Sequence, residues 1–224
     1  MTKQIAIILL IILFNLFGCS QSKEEKVFKI FNEGVTFSLD AGKFMEEGNE
    51  EEGMKRYEMS IEKFKETLQI DSNHKGVPSA LGHNYYETRN YDEAINWFTK
   101  AIEVQPEFAV NYQFLGFSQM NKGKIEEGEK NIEKAFEIDN SEDMRYNTIS
   151  NLVHIGNLAY SYGEAYEEEG KKEQGNDYRK FGIRVLTSAL EYSNNDKEIG
   201  KMIDEYAIKM NDETLLNWVK DKMK

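Results

Sequence analysis

The feature that most constrains this chain is a spacing. Ser60, Ala94 and Gly128 stand 34 residues apart, each opening the same apolar pattern. It reads Ile61, Phe64 and Thr67 after the first, Phe98 and Ala101 after the second, and Ile132 and Ala135 after the third. One apolar stripe would suit any helical bundle, but three stripes in a single register call for a unit that stacks on copies of itself. Thirty-four residues hold two helices and a turn, so the chain is expected to be all-α. Only two prolines, Pro78 and Pro106, and no Gly/Ser-rich linker interrupt its 224 residues.

The clearest copy is Lys75 to Phe108, KGVPSALGHNYYETRNYDEAINWFTKAIEVQPEF. Leu81-Gly82, Tyr85, Ala94, Phe98, Ala101 and Pro106 resemble the tetratricopeptide repeat, with Pro78 in place of its early aromatic residue. Ala109 to Glu142 follows the same plan through Tyr112, Leu115-Gly116, Gly128, Ile132 and Ala135, with Asn140 where proline stood. The resemblance implies a right-handed α-solenoid of antiparallel helix pairs. Gly82 and Ala94 let the two helices approach, and Pro106 stops the second one.

Both terminal repeats are longer. Taking Gly34 as the contact glycine paired with Ser60 adds 14 residues to the first repeat, or two turns per helix. Gly182 lies 54 residues after Gly128, 20 beyond the period, which predicts a final hairpin lengthened by roughly ten residues per helix. Two charged runs, FMEEGNEEEGMKRYEM at 44–59 and YEEEGKKEQGNDYRKF at 166–181, fall where the hairpin tips are expected, with Gly48 and Gly170 ending the first helices. The repeat region is thus read as 27–194: an elongated repeat at 27–74, repeats at 75–108 and 109–142, and an elongated repeat at 143–194. Residues 195–224 are read as capping helices broken near Asn211-Asp212, with Asp212 as an N-cap.

The N-terminus reads as an address. Lys3 precedes an apolar run from Ile5 to Phe17, too short to cross a hydrocarbon layer of roughly 30 Å comfortably. Leu16-Phe17-Gly18-Cys19 resembles the lipobox of bacterial lipoproteins, which implies cleavage of signal peptide 1–18, lipidation of Cys19 and a short tether at 19–26. Ser20 at the second mature position resembles lipoproteins sent to an outer membrane, where the organism has two membranes. The expected location is the cell envelope, lipid-anchored. Cys19 is the only cysteine, so no disulfide forms within the chain.

Charge and motifs narrow the function. A net charge of −12 argues against nucleic acid and against a polybasic grip on anionic lipid. No HExxH, GxSxG, GxGxxG or phosphate-loop motif occurs. The three histidines, His74, His83 and His154, have no fixed carboxylate pattern around them, and His74 is expected as a solvated turn residue. The glutamate runs read as wet helical surface. No catalytic residue, metal or cofactor is therefore expected.

The resemblance places Ser79, His83, Tyr86, Gln113, Phe117 and Met120 on the inner face of the first helices, where a peptide or partner helix is expected to bind. That face lacks the lysines with which some tetratricopeptide domains clamp a terminal carboxylate, so such a ligand is disfavoured. The leading expectation is a membrane-anchored, noncatalytic adaptor. The alternatives are a structural subunit of an envelope-assembly or enzyme complex and, less favoured, a carboxylate-dependent hydrolase.

Overall fold

The computed structural model describes residues 22–222, which form ten α-helices and no strand. The expected signal peptide, 1–18, and Cys19 lie outside the described residues. Two compact units divide the chain, the first ending at Val77 and the second beginning at Pro78.

The first unit is built on one long antiparallel pair, α1 (Lys23–Glu46) and α2 (Glu50–Ile70). Ser22 opens α1 through a capping box with Glu25. Gly34 lies against the Phe64 ring, and the Ser60 hydroxyl donates to the Gly34 carbonyl at 2.7 Å. One heptad further out, Ala41 meets Gly53, repeating the close contact on the added length. At the tip Gly48 takes φ +77°, a left-handed conformation that glycine adopts without Cβ strain. His74 is not the solvated turn residue expected. Its ring lies 4.5 Å from Phe31, because the chain after α2 folds back over the base of α1.

The second unit holds helices α3 (Gly76–Glu87, which begins just before the boundary), α4 (Tyr91–Val104), α5 (Ala109–Asn121), α6 (Ile125–Ile138), α7 (Glu142–Glu168), α8 (Lys172–Tyr192), α9 (Lys197–Met210) and α10 (Glu213–Lys222). They pair antiparallel as a tetratricopeptide-like α-solenoid, with α9 packed on α8 and α10 closing the end. The core runs through Phe117, Met120, Ile132, Leu152, Ile155, Ile183 and Leu186 into Ile203 and Val219 of the cap. Asn211 takes φ 50° between the capping helices, and the Asp212 carboxylate accepts from the Leu215 amide.

The final hairpin is longer than a standard pair, but not evenly. Gly156 and Gly182 face each other and lie 26 residues apart, against 12 for Gly116 and Gly128, a difference of 14 or one heptad per helix. The other six of the 20 additional residues lengthen α7 at its base, where Met144 and Thr148 bury against α5. The expected ten and ten is corrected by this anchoring: α8, like every second helix here, ends ten residues past its contact residue, at Tyr192. A second glycine pair, Gly163 and Gly175, carries the close contact out along the added heptad to the tip at Gly170.

Candidate partner-binding site

The first helices α3 and α5 bring their facing side chains into an aromatic row. His83 lies between Phe98 and Phe114, at ring distances of 5.1 and 4.2 Å and near-perpendicular to both. Tyr86 stands edge-on to Phe114 at 5.2 Å and reaches Tyr91, the first residue of α4, at 5.8 Å. Burial lowers the His83 pKa to about 4, so the imidazole is neutral at pH 7. It likewise raises the Tyr86 phenol above its usual range, with the Asn121 side chain beside the hydroxyl lowering it in part. The row is therefore aromatic and uncharged, suited to burying apolar side chains of a partner.

The six residues expected at the site divide. Ser79, His83 and Tyr86 are half-buried and keep part of their surface open. Gln113 is spent internally, its amide donating to Thr148 Oγ1 at 2.8 Å and to the Met144 carbonyl at 3.3 Å. Phe117 and Met120 are both 0% exposed and offer no surface to a partner. Met120 fills the space that Gly128 leaves without a side chain, and Phe117 packs behind Tyr86 and Phe114. Phe114, half-buried at the centre of the row, was not among the expected residues. Its signal was available: it lies one residue before the Leu115-Gly116 contact pair and one turn before Phe117 and Ser118.

A second feature arises from the added heptad. Because α7 and α8 rise past the α5–α6 tip, a step forms between Asn121, Lys122 and Gly123 on the tip and Asp177, Tyr178 and Phe181 on α8, enclosing a cleft of about 410 Å³. Asn121 belongs to both features, standing beside Tyr86 with its amide donating to the Phe117 carbonyl at 2.9 Å, and lining the cleft. Around the cleft mouth, Lys122 is paired with Asp92 at 2.9 Å, so its charge is partly answered. Among the described residues no group of three or more His, Cys, Asp or Glu is placed to hold a metal ion. Among the same residues no helix is long and apolar enough to cross a membrane.

Comparison with known proteins agrees with the repeat geometry. Tetratricopeptide repeat family models match residues 79–108 and 109–142. The chain is 27% identical over 105 residues to heat shock protein STI1 of Saccharomyces cerevisiae, covering 46% of this chain and 18% of that protein. It is 28% identical over 147 residues to a DnaJ homolog subfamily C member 7 homolog of Dictyostelium discoideum, covering 62% of this chain and 27% of that protein. The chain thus spans about a fifth to a quarter of these curated relatives. Among solved structures it resembles the first tetratricopeptide domain of Spaghetti (RPAP3) bound to an HSP90 peptide, with a TM-score of 0.42 and 15% identity over 54% of this chain and 90% of that one. A crystal structure of MamA gives a TM-score of 0.40 and 19% identity over 76% of this chain and 88% of that one. Residues 79–142 match two tetratricopeptide repeats in tandem, with longer helix pairs before and after them in the sequence.

Proposed function

We propose that this chain is a noncatalytic adaptor, held to a bacterial envelope membrane by lipid on Cys19, that captures a peptide or helix of a partner protein in the second unit. The supporting observation is the continuity of the aromatic row with the cleft: His83, Tyr86 and Phe114 lead through Asn121 to Phe181 and Tyr178. Two shallow apolar surfaces joined in this way hold an extended or helical segment better than either alone, because burial adds along its length. Ser79, His83 and Tyr86 keep the role expected for them, whereas Gln113, Phe117 and Met120 shape the surface from behind. The net charge of −12 favours a neutral or basic partner over an acidic one.

The test is site-specific photocrosslinking in cells that make the full chain. A photoreactive residue at Tyr91 or Tyr178 is expected to yield a discrete protein adduct, and one at Tyr146, an exposed residue near the base of α7, is not. Equal labelling at all three positions, or none, rejects the site. Separately, Cys19→Ser is expected to release the protein from membranes; unchanged retention rejects the anchor.

A further inference from the structure

The outer side of α1 carries a feature that the repeat architecture does not use. Val27, Ile30, Gly34 and Ala41 form its buried stripe. Diametrically opposite, Phe28, Asn32, Thr36 and Leu39 make an exposed stripe free of charge, in a chain that is 30% charged. Phe28 is 69% and Leu39 64% exposed, 11 residues apart and so roughly 16 Å along the helix on one face. Two acidic side chains at its edge, Glu25 and Glu33, are already engaged. Glu25 accepts from the Ser22 amide in the capping box, and Glu33 is held by Lys63 at 2.7 Å on α2. Lys29 and Lys43 flank the stripe, and Lys23 and Lys26 stand in the first two turns.

We propose that this face of α1 lies against the phospholipid bilayer, with Phe28 and Leu39 inserted at the headgroup boundary and the lysine ammonium groups at phosphate level. The inference rests on lipidation of Cys19, because the anchor decides what the stripe meets. Only residues 20–22 separate that cysteine from the start of α1, a tether of about 10–14 Å even when extended. Phe28 stands five residues, or about 8 Å, into the helix, so the anchor holds it within reach of the interface. An interfacial helix buries its apolar side by only about 5–10 Å, a depth that isolated Phe and Leu side chains with Asn and Thr between them can occupy. A second copy of the chain is the poorer occupant. Two large apolar residues spread over that length fall well short of the roughly 1,200 Å² that a stable dimer buries.

The mature lipidated chain offers a clean probe, since Cys19 is its only cysteine and its thiol is consumed by lipid. Asn32→Cys, at the centre of the stripe, is labelled with an environment-sensitive NBD dye, and the protein is reconstituted into phosphatidylethanolamine and phosphatidylglycerol vesicles. Emission is expected to shift to the blue, rise several-fold and be quenched by spin-labelled lipid, whereas dye on Tyr146→Cys in the second unit stays wet. Adding Phe28→Asp and Leu39→Asp is expected to abolish the shift while the acylated protein still floats with the vesicles. A dye at position 32 that remains wet while the protein floats overturns this inference and leaves the anchor standing. Loss of flotation in the chain carrying the native stripe rejects the anchor itself. A dry signal without vesicles that grows with protein concentration assigns the stripe to a second copy instead.

Discussion

Gly182 and Gly156 meet backbone to backbone across the C-terminal hairpin: a Cβ on Gly182 would stand 2.5 Å from the Gly156 carbonyl oxygen and 2.9 Å from the Tyr160 amide nitrogen. Neither neighbour is the free end of a side chain, so the helices themselves must part to admit a methyl group. Overpacking of this kind costs about 1–3 kcal/mol. Gly182→Ala is therefore expected to lower stability at the upper end of that range. Gly48→Ala should cost about 1–2 kcal/mol through its left-handed backbone alone, since nothing lies within 4 Å of its Cβ position. Urea titration separates the two cases, because a double variant with Tyr160→Ala should not rescue Gly182→Ala while the Gly156 carbonyl still blocks it. Full rescue would show that the side chain, not the backbone, sets the limit.

The Gln113 amide ties α5 to the base of α7 through Thr148 and Met144. Gln113→Leu keeps the volume and removes both bonds, leaving the Met144 carbonyl with the Thr148 hydroxyl as its remaining side-chain donor. A loss of about 1–2 kcal/mol is expected, since two buried acceptors lose their donor. Photocrosslinking from Tyr178 should survive at temperatures where the variant is folded. A selective loss of adduct in the folded variant would return Gln113 to the binding surface.

These two sites also mark what the sequence made legible. The 34-residue register located three second helices, because Ser60, Ala94 and Gly128 must be small for the pair to close, and the same small-residue pattern at Gly182 located the fourth outside that spacing. Gly48 and Gly170 were legible as tips for a similar reason, a left-handed turn favouring glycine. Gly156 was harder to see. Twenty additional residues can be divided between two helices in many ways, and only the burial of Met144 and Thr148 shows that six of them belong to the base of α7. Phe117 and Met120 were misjudged as surface because a motif names its contact residues but not what fills the space beside a glycine. Met120 occupies the room over Gly128, an outcome of packing that no spacing records.

His83 gives the second unit a pH dependence that can be isolated. In the folded chain burial between Phe98 and Phe114 holds its pKa at about 4, while in the unfolded chain it titrates near the ordinary 6.5. Between those values the unfolded chain binds the extra proton, so stability rises with pH there. The contribution is fully present above about pH 6.5 and is lost as pH falls through about 4, amounting to the order of 1–3 kcal/mol. His83→Phe removes the titrating group and keeps an aromatic ring in the gap. The melting-temperature difference between the variant and the native chain should widen in the variant's favour from about pH 7 to about pH 4.5. A difference that stays constant over that range would mean that the imidazole is solvated and ordinary.

Tyr206 fastens the cap. Its ring stacks on Tyr160 at 3.8 Å and 9°, its hydroxyl donates to Asn157 Oδ1 at 3.1 Å, and its carbonyl accepts from the Tyr160 hydroxyl at 3.3 Å. Beneath it, Ile203 and Ala207 of α9 are buried with Ile183 and Leu186 of α8, a face that would otherwise meet water. Removing residues 195–224 should leave that face open, so the shortened chain is expected to bind a hydrophobic dye and to self-associate. Tyr206→Ala is the milder form of the same change. It removes the stacking and a hydrogen bond for about 2–4 kcal/mol, without deleting the apolar seam. Hydrogen exchange should then accelerate through α9 and α10 while α3 and α4 keep their protection, because the cap is lost as a local unit. Acceleration spread evenly over α3 to α10 would instead show that the second unit opens as one cooperative block, with the cap inseparable from the repeats.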